Sequence, residues 1–585
     1  MDLRYPRPQM VRGNYKLLDD GEWTLNGEAI CVPYPPEASD SKYKGEIKNP
    51  LCYETRFSIP KEYFGNRMLL HFGAVDQVAE IYVNDVFIGK HEQGYLSFTC
   101  DITDVVDESN AESNTLKVIA TDTLDRKYPR GKQSKKSSGM WYTKVSGIWQ
   151  SVWLESVPEN FVEALHITSD KKGVTIVADA SEEYSIENIR VEIYPATDFS
   201  SMLMTQCGWY TNGDLFGVPS ASLVNENIEP IMDVSEPSNT IDIDIENPVL
   251  WSVENPYIYP VRIYAGYDVV DSYFALREIA VDDSAEGKRL KLNGQNIFLN
   301  GVLDQGYFTD GIFLPKEPEE YIRDVLRMKE LGFNFLRKHI KLEPQCFYTV
   351  CDLVGMFVMQ DMINNGDYKF IKDTVLPTIG FTKRDDTKHF DKDVERKDIF
   401  IDSMLGIIDE VYNHPSLVAY TIFNEGWGQF ESDSMYALCK HMDANRLIDS
   451  TSGWFWQNDS DFDSLHIYFR NEKLEPRKER LMLLSECGGY QYGIEGHKFQ
   501  LKRHYGYGRV STSKEDLTMR IRQMYEEMVF PAIKKGLCGV VFTQLSDVEE
   551  EINGLYTYDR EICKVIPEEM RKLSKELQEM VDSLC

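Results

Sequence analysis

From about residue 290 the chain alternates apolar, strand-like runs with segments of helical length, and this alternation constrains the fold more than any other feature. The strand candidates are "NIFLNGVL", "FNFLRKHI", "MFVMQDM", "SLVAYTIFNE", "RLIDSTSG", "SLHIYF", "LMLLSECGG" and "LCGVVFTQLS". A helix is expected with Ile322, Val325 and Leu326 on one face. Others are expected through "PQCFYTVCDLVG" and "IFIDSMLGIIDEVYN", and a last one through "IPEEMRKLSKELQEMVDSL". Strands buried on both faces and alternating with helices imply parallel βα units. Eight of them within about 290 residues fit a (β/α)8 TIM barrel. A doubly wound open sheet is the second choice, but no GxGxxG follows any strand.

The preceding chain has a different rhythm. Between about 50 and 155 short β-rich runs are separated by turns. "MLLHFGAVDQVAEIYVNDVFIGKHE" breaks into three strands at Gly73 and at Asn84-Asp85, and "NTLKVIATD" and "GIWQSVWLES" supply more. Regular short strands with turn punctuation indicate a β-sandwich. A second β-rich block holds "GVTIVADA", "IRVEIYP" and "YIYPVRIYAG", with Pro248 and Pro256 between strands, where proline is tolerated. A chain of 585 residues exceeds one core of roughly 250–300 residues, so about three domains are expected. They are drawn at 1–157, 158–283 and 284–585.

Composition narrows the partners. A formal net charge of −32 repels phosphate backbones and disfavours nucleic acid. No run approaches the ~20 apolar residues of a membrane span, and the first residues carry no apolar secretory signal. The 11 cysteines are scattered, several in apolar runs such as Cys439 and Cys538, and read as free thiols of a reducing, cytoplasmic protein. No CxxC or Cys/His cluster points to zinc, and no metal or other cofactor is expected.

Barrel active sites lie at the C-terminal ends of the strands, so ionisable residues that end apolar runs are the candidates. "LVAYTIFNE" ends in Asn424-Glu425 and "LMLLSE" in Glu486. "FLRKHI" offers Arg337, Lys338 and His339. "FVMQDM" offers Asp361, "LHIY" offers His466 and Tyr468, and "FTQLSD" offers Gln544 and Asp547. A carboxylate after several apolar strand residues is costly unless paired or functional. Two of them, on the fourth and seventh strands, face each other across a barrel mouth. Glycoside hydrolysis uses such a pair, one acid to protonate the leaving oxygen and one carboxylate to attack the anomeric carbon. The bland alternative is that each glutamate is salt-bridged at the rim.

These segments resemble glycoside hydrolase family 2, the β-galactosidase, β-glucuronidase and β-mannosidase group, over nearly the whole chain. "RPQMVRGNYKLLDDGEWTLNG" is similar to the family's opening. "FGAVDQVAEIYVNDVFIGKHEQGYLSFTCDIT" and "GMWYTKVSGIWQSVWLE" resemble its sugar-binding jelly roll. "LWSVENPYIYPVRIY" with "YFALREI" resembles the end of its immunoglobulin-like domain, and "LKLNGQNIFLNGV" the start of its barrel. The resemblance implies a jelly-roll β-sandwich, an immunoglobulin-like β-sandwich and a C-terminal TIM barrel. It assigns Glu425 in "IFNEGWG" as acid/base and Glu486 in "LLSECGGY" as nucleophile. Asn424 falls on the residue that contacts the sugar 2-hydroxyl, and Tyr468 on a tyrosine that hydrogen-bonds the nucleophile.

The chain departs from the family at several places. The family's glucuronidases hold the sugar carboxylate with an Asn-x-Lys motif before a late glycine. Here Glu549-Glu550-Glu551-Ile552-Asn553 precedes Gly554, which disfavours acidic sugars or is only a solvated acidic loop. Trp141 replaces an Asp that reaches from the jelly roll toward the sugar, either as an aromatic platform or as a core residue. The family's RxSH becomes Arg337-Lys338-His339, one residue short. Successive strand residues face opposite ways, so His339 either lines the pocket or is a core or rim residue, with Lys338 as the alternative pocket residue. Trp427 is a stacking candidate beside Glu425 or a structural tryptophan. Asp361 binds a sugar hydroxyl or pairs with Arg337. The basic run "RKYPRGKQSKK" rims the cleft, binds an anionic partner, helps assembly or is a solvated loop.

The implied activity is that of a retaining exo-β-glycosidase acting on a short neutral glycoside, β-galactoside first, with β-glucuronide and β-mannoside as alternatives. A non-catalytic carbohydrate-binding protein on the same scaffold is the rival from another class. Oligomerisation is common in the family, so a homo-oligomer is open.

Overall fold

The computed structural model describes residues 2–180, 184–209, 221–283, 287–387, 393–475, 480–499 and 503–584. The first sandwich packs a four-stranded sheet against a six-stranded one. Its hairpin of Val78–Val83 and Val86–Glu92 turns through Asn84 and Asp85, with φ of 48° and 63°. A two-residue loop needs positive φ at both positions to follow the strand twist, and Asn and Asp tolerate it. Buried and part-exposed residues alternate along Asn114–Thr121, so Leu116, Val118 and Ala120 face a core shared with Trp23, Tyr53 and Phe72. The second sandwich pairs a three-stranded sheet with the sheet built on Tyr257–Ala265. Buried Arg12 ties the two sandwiches together, 3.0 Å from Glu155 and 2.8 Å from Asp268.

Eight parallel strands follow: β1 (Leu299–Asp304), β2 (Phe335–Lys338), β3 (Phe357–Asp361), β4 (Leu417–Asn424), β5 (Leu447–Ser452), β6 (Phe462–Ile467), β7 (Leu481–Gly488) and β8 (Leu537–Thr543). Six of them lie within the apolar runs; β1 ends one residue past its run, at Asp304, and β6 begins two residues before its run, at Phe462. Seven neighbouring pairs are laddered in the order β5-β4-β3-β2-β1-β8-β7-β6. The seam between β5 and β6 closes through other bonds. Asp461 N donates to Ile448 O at 2.8 Å, and Ser464 Oγ to Asp449 Oδ2 at 2.7 Å.

Helices α1 (Glu319–Glu330), α2 (Gln345–Val354), α3 (Val394–Val411), α4 (Ser432–Met442) and α5 (Lys514–Met524) cover the barrel, and α6 (Pro567–Asp582) ends it. α1 carries Glu319 and Glu320 in its first turn and Arg327 and Lys329 in its last, which suits the helix dipole. Asp393 caps α3 by accepting from Arg396 N. Among the described residues no helix joins β5 to β6 or β6 to β7. A helix over Ser200–Gln206, unforeseen in a β-rich block, buries Leu203 against the barrel core.

The last expected division, at 283/284, meets residues 284–286, which lie outside the described residues. On either side of them Ile279–Asp282 and Arg289–Leu292 pair antiparallel. The described cysteines are free thiols, Cys439 and Cys538 among the buried ones. Among the described residues no helix is long and apolar enough to cross a membrane.

Candidate active site

Strand β4 ends at Asn424, and the chain turns sharply at Glu425, whose φ is 53°. A non-glycine residue held there is strained, which its surroundings must enforce. Trp454 Nε1 donates to its carbonyl at 3.1 Å and Glu425 N donates to Ser452 O at 3.0 Å. Gly426 follows at φ 73°, and a Cβ on it would meet the Phe455 ring at 2.3 Å. "NEGWG" therefore reads as a turn that lifts one carboxylate off the strand end. Glu425 Oε1 lies 2.8 Å from His466 Nδ1.

Glu486 sits in β7 and is buried. Arg337 Nη1 donates to its Oε1 at 3.1 Å, and the Tyr468 hydroxyl donates to its Oε2. Burial alone would raise its pKa. His466, Arg337 and Lys132 outweigh that and bring it down to about 2. Burial and the neighbouring carboxylate keep Tyr468 protonated, so the phenol is the donor. Tyr468 also stacks on Tyr507 at 3.8 Å.

One oxygen of Glu425, one ring nitrogen of His466 and one oxygen of Glu486 lie within 4.8 Å of one another. The trio has the donor types and spacing of a metal site, as do His497, Asp559 and Glu561 elsewhere. Glu425 and Glu486 line the same cavity. Asn424 lines it as well. Arg337 Nη2 donates to Asn424 Oδ1 at 2.9 Å, which leaves the amide's donor end for a ligand.

The other sequence candidates divide into wall and foundation. His339, Trp141, Trp427 and Tyr468 line the cavity. Trp141 and Trp427 meet edge to face at 5.2 Å, so the platform reading suits Trp141 better than a core one. Burial and Lys132 push the His339 pKa well down, leaving a neutral imidazole 2.7 Å from Asp361. Arg337, Asp361 and His466 are not on the wall. Arg337 is fully buried and bonds Asp361 Oδ1 at 3.0 Å, so Asp361 pairs with Arg337 and is not free for a sugar hydroxyl. His466 reaches both glutamates, with Nε2 3.6 Å from Glu486 Oε1.

Three candidates do not reach the cavity. Lys338 faces away from Arg337, as strand alternation requires, and is held by Asp304 at 2.6 Å and Glu343 at 2.8 Å. Gln544 donates to Asn553 Oδ1 at 2.8 Å. Asp547 accepts from Gly554 N at 2.8 Å and pairs with Lys564. The last two hold the loop after β8.

That loop is not a solvated acidic stretch, since Glu549, Glu550 and Glu551 are all buried. Glu549 Oε1 accepts from Thr143 N at 2.8 Å, Glu550 Oε2 from Gly139 N at 3.1 Å, and Glu551 Oε2 from the Tyr142 hydroxyl. The three acids clamp the jelly-roll segment 138–143 over the barrel and bring Met140 and Trp141 to the cavity. The wall also holds Gln305, Tyr368, Tyr507 and Thr543, none of them among the candidates above. Gln305 and Thr543 carry a usable signal, because one follows the last residue of β1 and the other ends β8.

Residues 284–486 match the family model described as glycosyl hydrolases family 2, TIM barrel domain, and residues 38–150 match glycosyl hydrolase 2 galactose-binding domain-like. The chain belongs to glycoside hydrolase family 2. This family 2 chain is 25% identical over 344 residues to a β-galactosidase of Thermoanaerobacter pseudethanolicus, covering 58% of the chain and 43% of the relative. It is 24% identical over 422 residues to a putative β-glucuronidase of Formosa agariphila, covering 70% and 43%. It thus spans about two-fifths of the length of these curated relatives. In fold it is similar to the β-D-glucuronidase of Dictyoglomus thermophilum, with a TM-score of 0.71, 14% identity and 98% of each chain covered. A β-glucuronidase from an uncultured Clostridium gives 0.70, 16% identity, and 97% and 99% coverage.

Proposed function

We propose that this family 2 chain is a retaining exo-β-glycosidase acting on neutral β-linked sugars, β-galactosides first. Glu486 is the nucleophile and Glu425 the general acid/base. The observation that carries the reading is the approach of the two carboxylates around His466, within 4.8 Å at their nearest oxygens. Retaining enzymes hold such groups about 5–5.5 Å apart, whereas inverting enzymes leave about 6.5–9.5 Å for a water.

The chemistry follows from the contacts. Arg337 and Tyr468 keep Glu486 ionised and aimed. It attacks the anomeric carbon while Glu425 gives its proton to the departing oxygen. A glycosyl ester forms on Glu486 and the aglycone leaves as the alcohol. Glu425, now a carboxylate, takes a proton from water, which displaces Glu486 and restores both groups. Asn424, its acceptor end taken by Arg337, donates to a sugar hydroxyl beside the reacting carbon.

The test is a panel of aryl β-glycosides with wild type and Glu486→Gln. Wild type should release the phenol from at least one neutral sugar, and Glu486→Gln should lose about 10⁴-fold or more in kcat. Equal inertness of both proteins on every sugar would favour the carbohydrate-binding alternative.

A further inference from the structure

The basic run 126–136 is only partly used by the fold. Arg126 pairs with Asp367 and Lys127 with Glu395. Arg130 lies over the rings of Trp141 and Trp427, 5.8 and 5.5 Å from their centroids. Lys132 remains. It is half-buried, and it is the one lysine or arginine among the cavity's lining residues. Its backbone is fixed, because Tyr142 N donates to Lys132 O at 3.0 Å and Gln133–Ser134 pairs with Tyr142–Thr143. Its ammonium makes no hydrogen bond or ion pair among the described residues. It stands 6.0 Å from the ring centroid of Tyr142, whose hydroxyl bonds Glu551. A cation partly withdrawn from water without a partner is costly unless a ligand supplies one.

A second orphan shares this cavity. Gln305 is 3% exposed, and its Oε1 has no hydrogen-bond partner among the described residues. Buried acceptors are nearly always satisfied, so this one awaits a donor. Glu551, on the same wall, already accepts from Tyr142 and, at 2.9 Å, from Asn553, which suits a carboxylate that accepts rather than donates. The wall thus offers one strong donor and two acceptors.

We propose that Lys132, from the jelly roll, determines glycone specificity: with Gln305 and Glu551 it reads the hydroxyls of a neutral sugar and rejects a uronate. The proposal rests on the glycosidase reading and names its substrate class. A sugar hydroxyl both accepts and donates, so it serves Lys132 and an acceptor at once. A uronate carboxylate only accepts. It would satisfy Lys132 but face Glu551 as a like charge and leave Gln305 Oε1 unserved.

The experiment compares wild type, Lys132→Met and Lys132→Arg on 4-nitrophenyl β-galactoside, β-glucoside, β-mannoside and β-glucuronide. Binding of galactose, glucose, mannose and glucuronic acid is measured in parallel by calorimetry. Thermal melts confirm that each variant is folded. Wild type should prefer a neutral glycoside to the glucuronide. Lys132→Met should raise KM for it about 10- to 100-fold with kcat within about threefold, and weaken the free sugar by a similar factor. Lys132→Arg should recover part of the loss. A wild type that turns over nothing yet binds a neutral sugar through Lys132 would sink the hydrolase reading and leave this one standing. Unchanged KM and affinity in a folded Lys132→Met would overturn it. So would a wild-type preference for the uronate that Lys132→Met abolishes, which would make Lys132 a carboxylate anchor.

Discussion

His466 Nδ1 lies 2.8 Å from Glu425 Oε1, and the same ring's Nε2 is 3.0 Å from Ser452 Oγ. The imidazole is wedged between β5 and the two carboxylates, so it fixes where the Glu425 oxygen stands when it meets a glycosidic oxygen. Replacing His466 with Ala should lower kcat about 100-fold while KM changes less, because an acid out of reach loses its share of the proton transfer. Steady-state kinetics on the best aryl glycoside measure this. An equal loss in KM alone would mean that the ring only shapes the pocket.

Arg337 is the strut of the site, bonded to Asp361, Asn424, Ser485 O and Glu486. Glu486 is held at about 2, below the ordinary carboxylate value of about 4.3. Its ionised form therefore stabilises the fold above pH ~4.3, and that contribution is lost as pH falls toward 2. In Arg337→Met the Glu486 pKa rises, and the acid limb of kcat/KM should move up by about one unit or more. The variant also strands Asp361 and should lose about 3–5 kcal/mol of stability, read by denaturant unfolding.

Tyr468→Phe removes a donor from Glu486 and nothing else of that size. A fall of about 10- to 100-fold in kcat is expected, with the acid limb again moving upward, since a lost hydrogen bond to the charged form disfavours it. A pH–rate profile distinguishes this from a packing defect, which would leave the limb in place.

The barrel and the jelly roll meet where Tyr142 donates to Glu551, residues 409 apart in sequence. Tyr142→Phe leaves Glu551 with one donor fewer in a buried place. It should cost about 1–3 kcal/mol of stability. The loosened loop carries Lys132 and Trp141, so KM should rise as well. Thermal melts and KM read the two effects separately.

The parts of this architecture legible in the sequence are those written in local patterns. Apolar strands buried on both faces and spaced by helices announce a barrel, and each of the eight runs holds all or most of a strand. Asn424-Glu425 and Glu486 stood out because an acid after an apolar run is expensive, and both reach one cavity. Strand alternation settles Lys338, which points away while Arg337 and His339 point in. What was not legible depends on distant segments meeting. Glu549, Glu550 and Glu551 look like a solvated acidic loop until the jelly-roll backbone is seen to donate to the first two and Tyr142 to the third. Lys132 looks like one lysine in a basic run until it is found lining the cavity. Gln544 and Asp547 end a strand as wall residues do, but the loop after β8 folds back and consumes them.

The most direct measurement is mass spectrometry of the protein incubated with a 2-deoxy-2-fluoro glycosyl fluoride of the preferred sugar, which slows release of a covalent intermediate. The account predicts one added sugar, on the peptide that contains Glu486, and none on Glu486→Gln. A hydrolysing enzyme that forms no adduct and yields product of inverted anomeric configuration would contradict it.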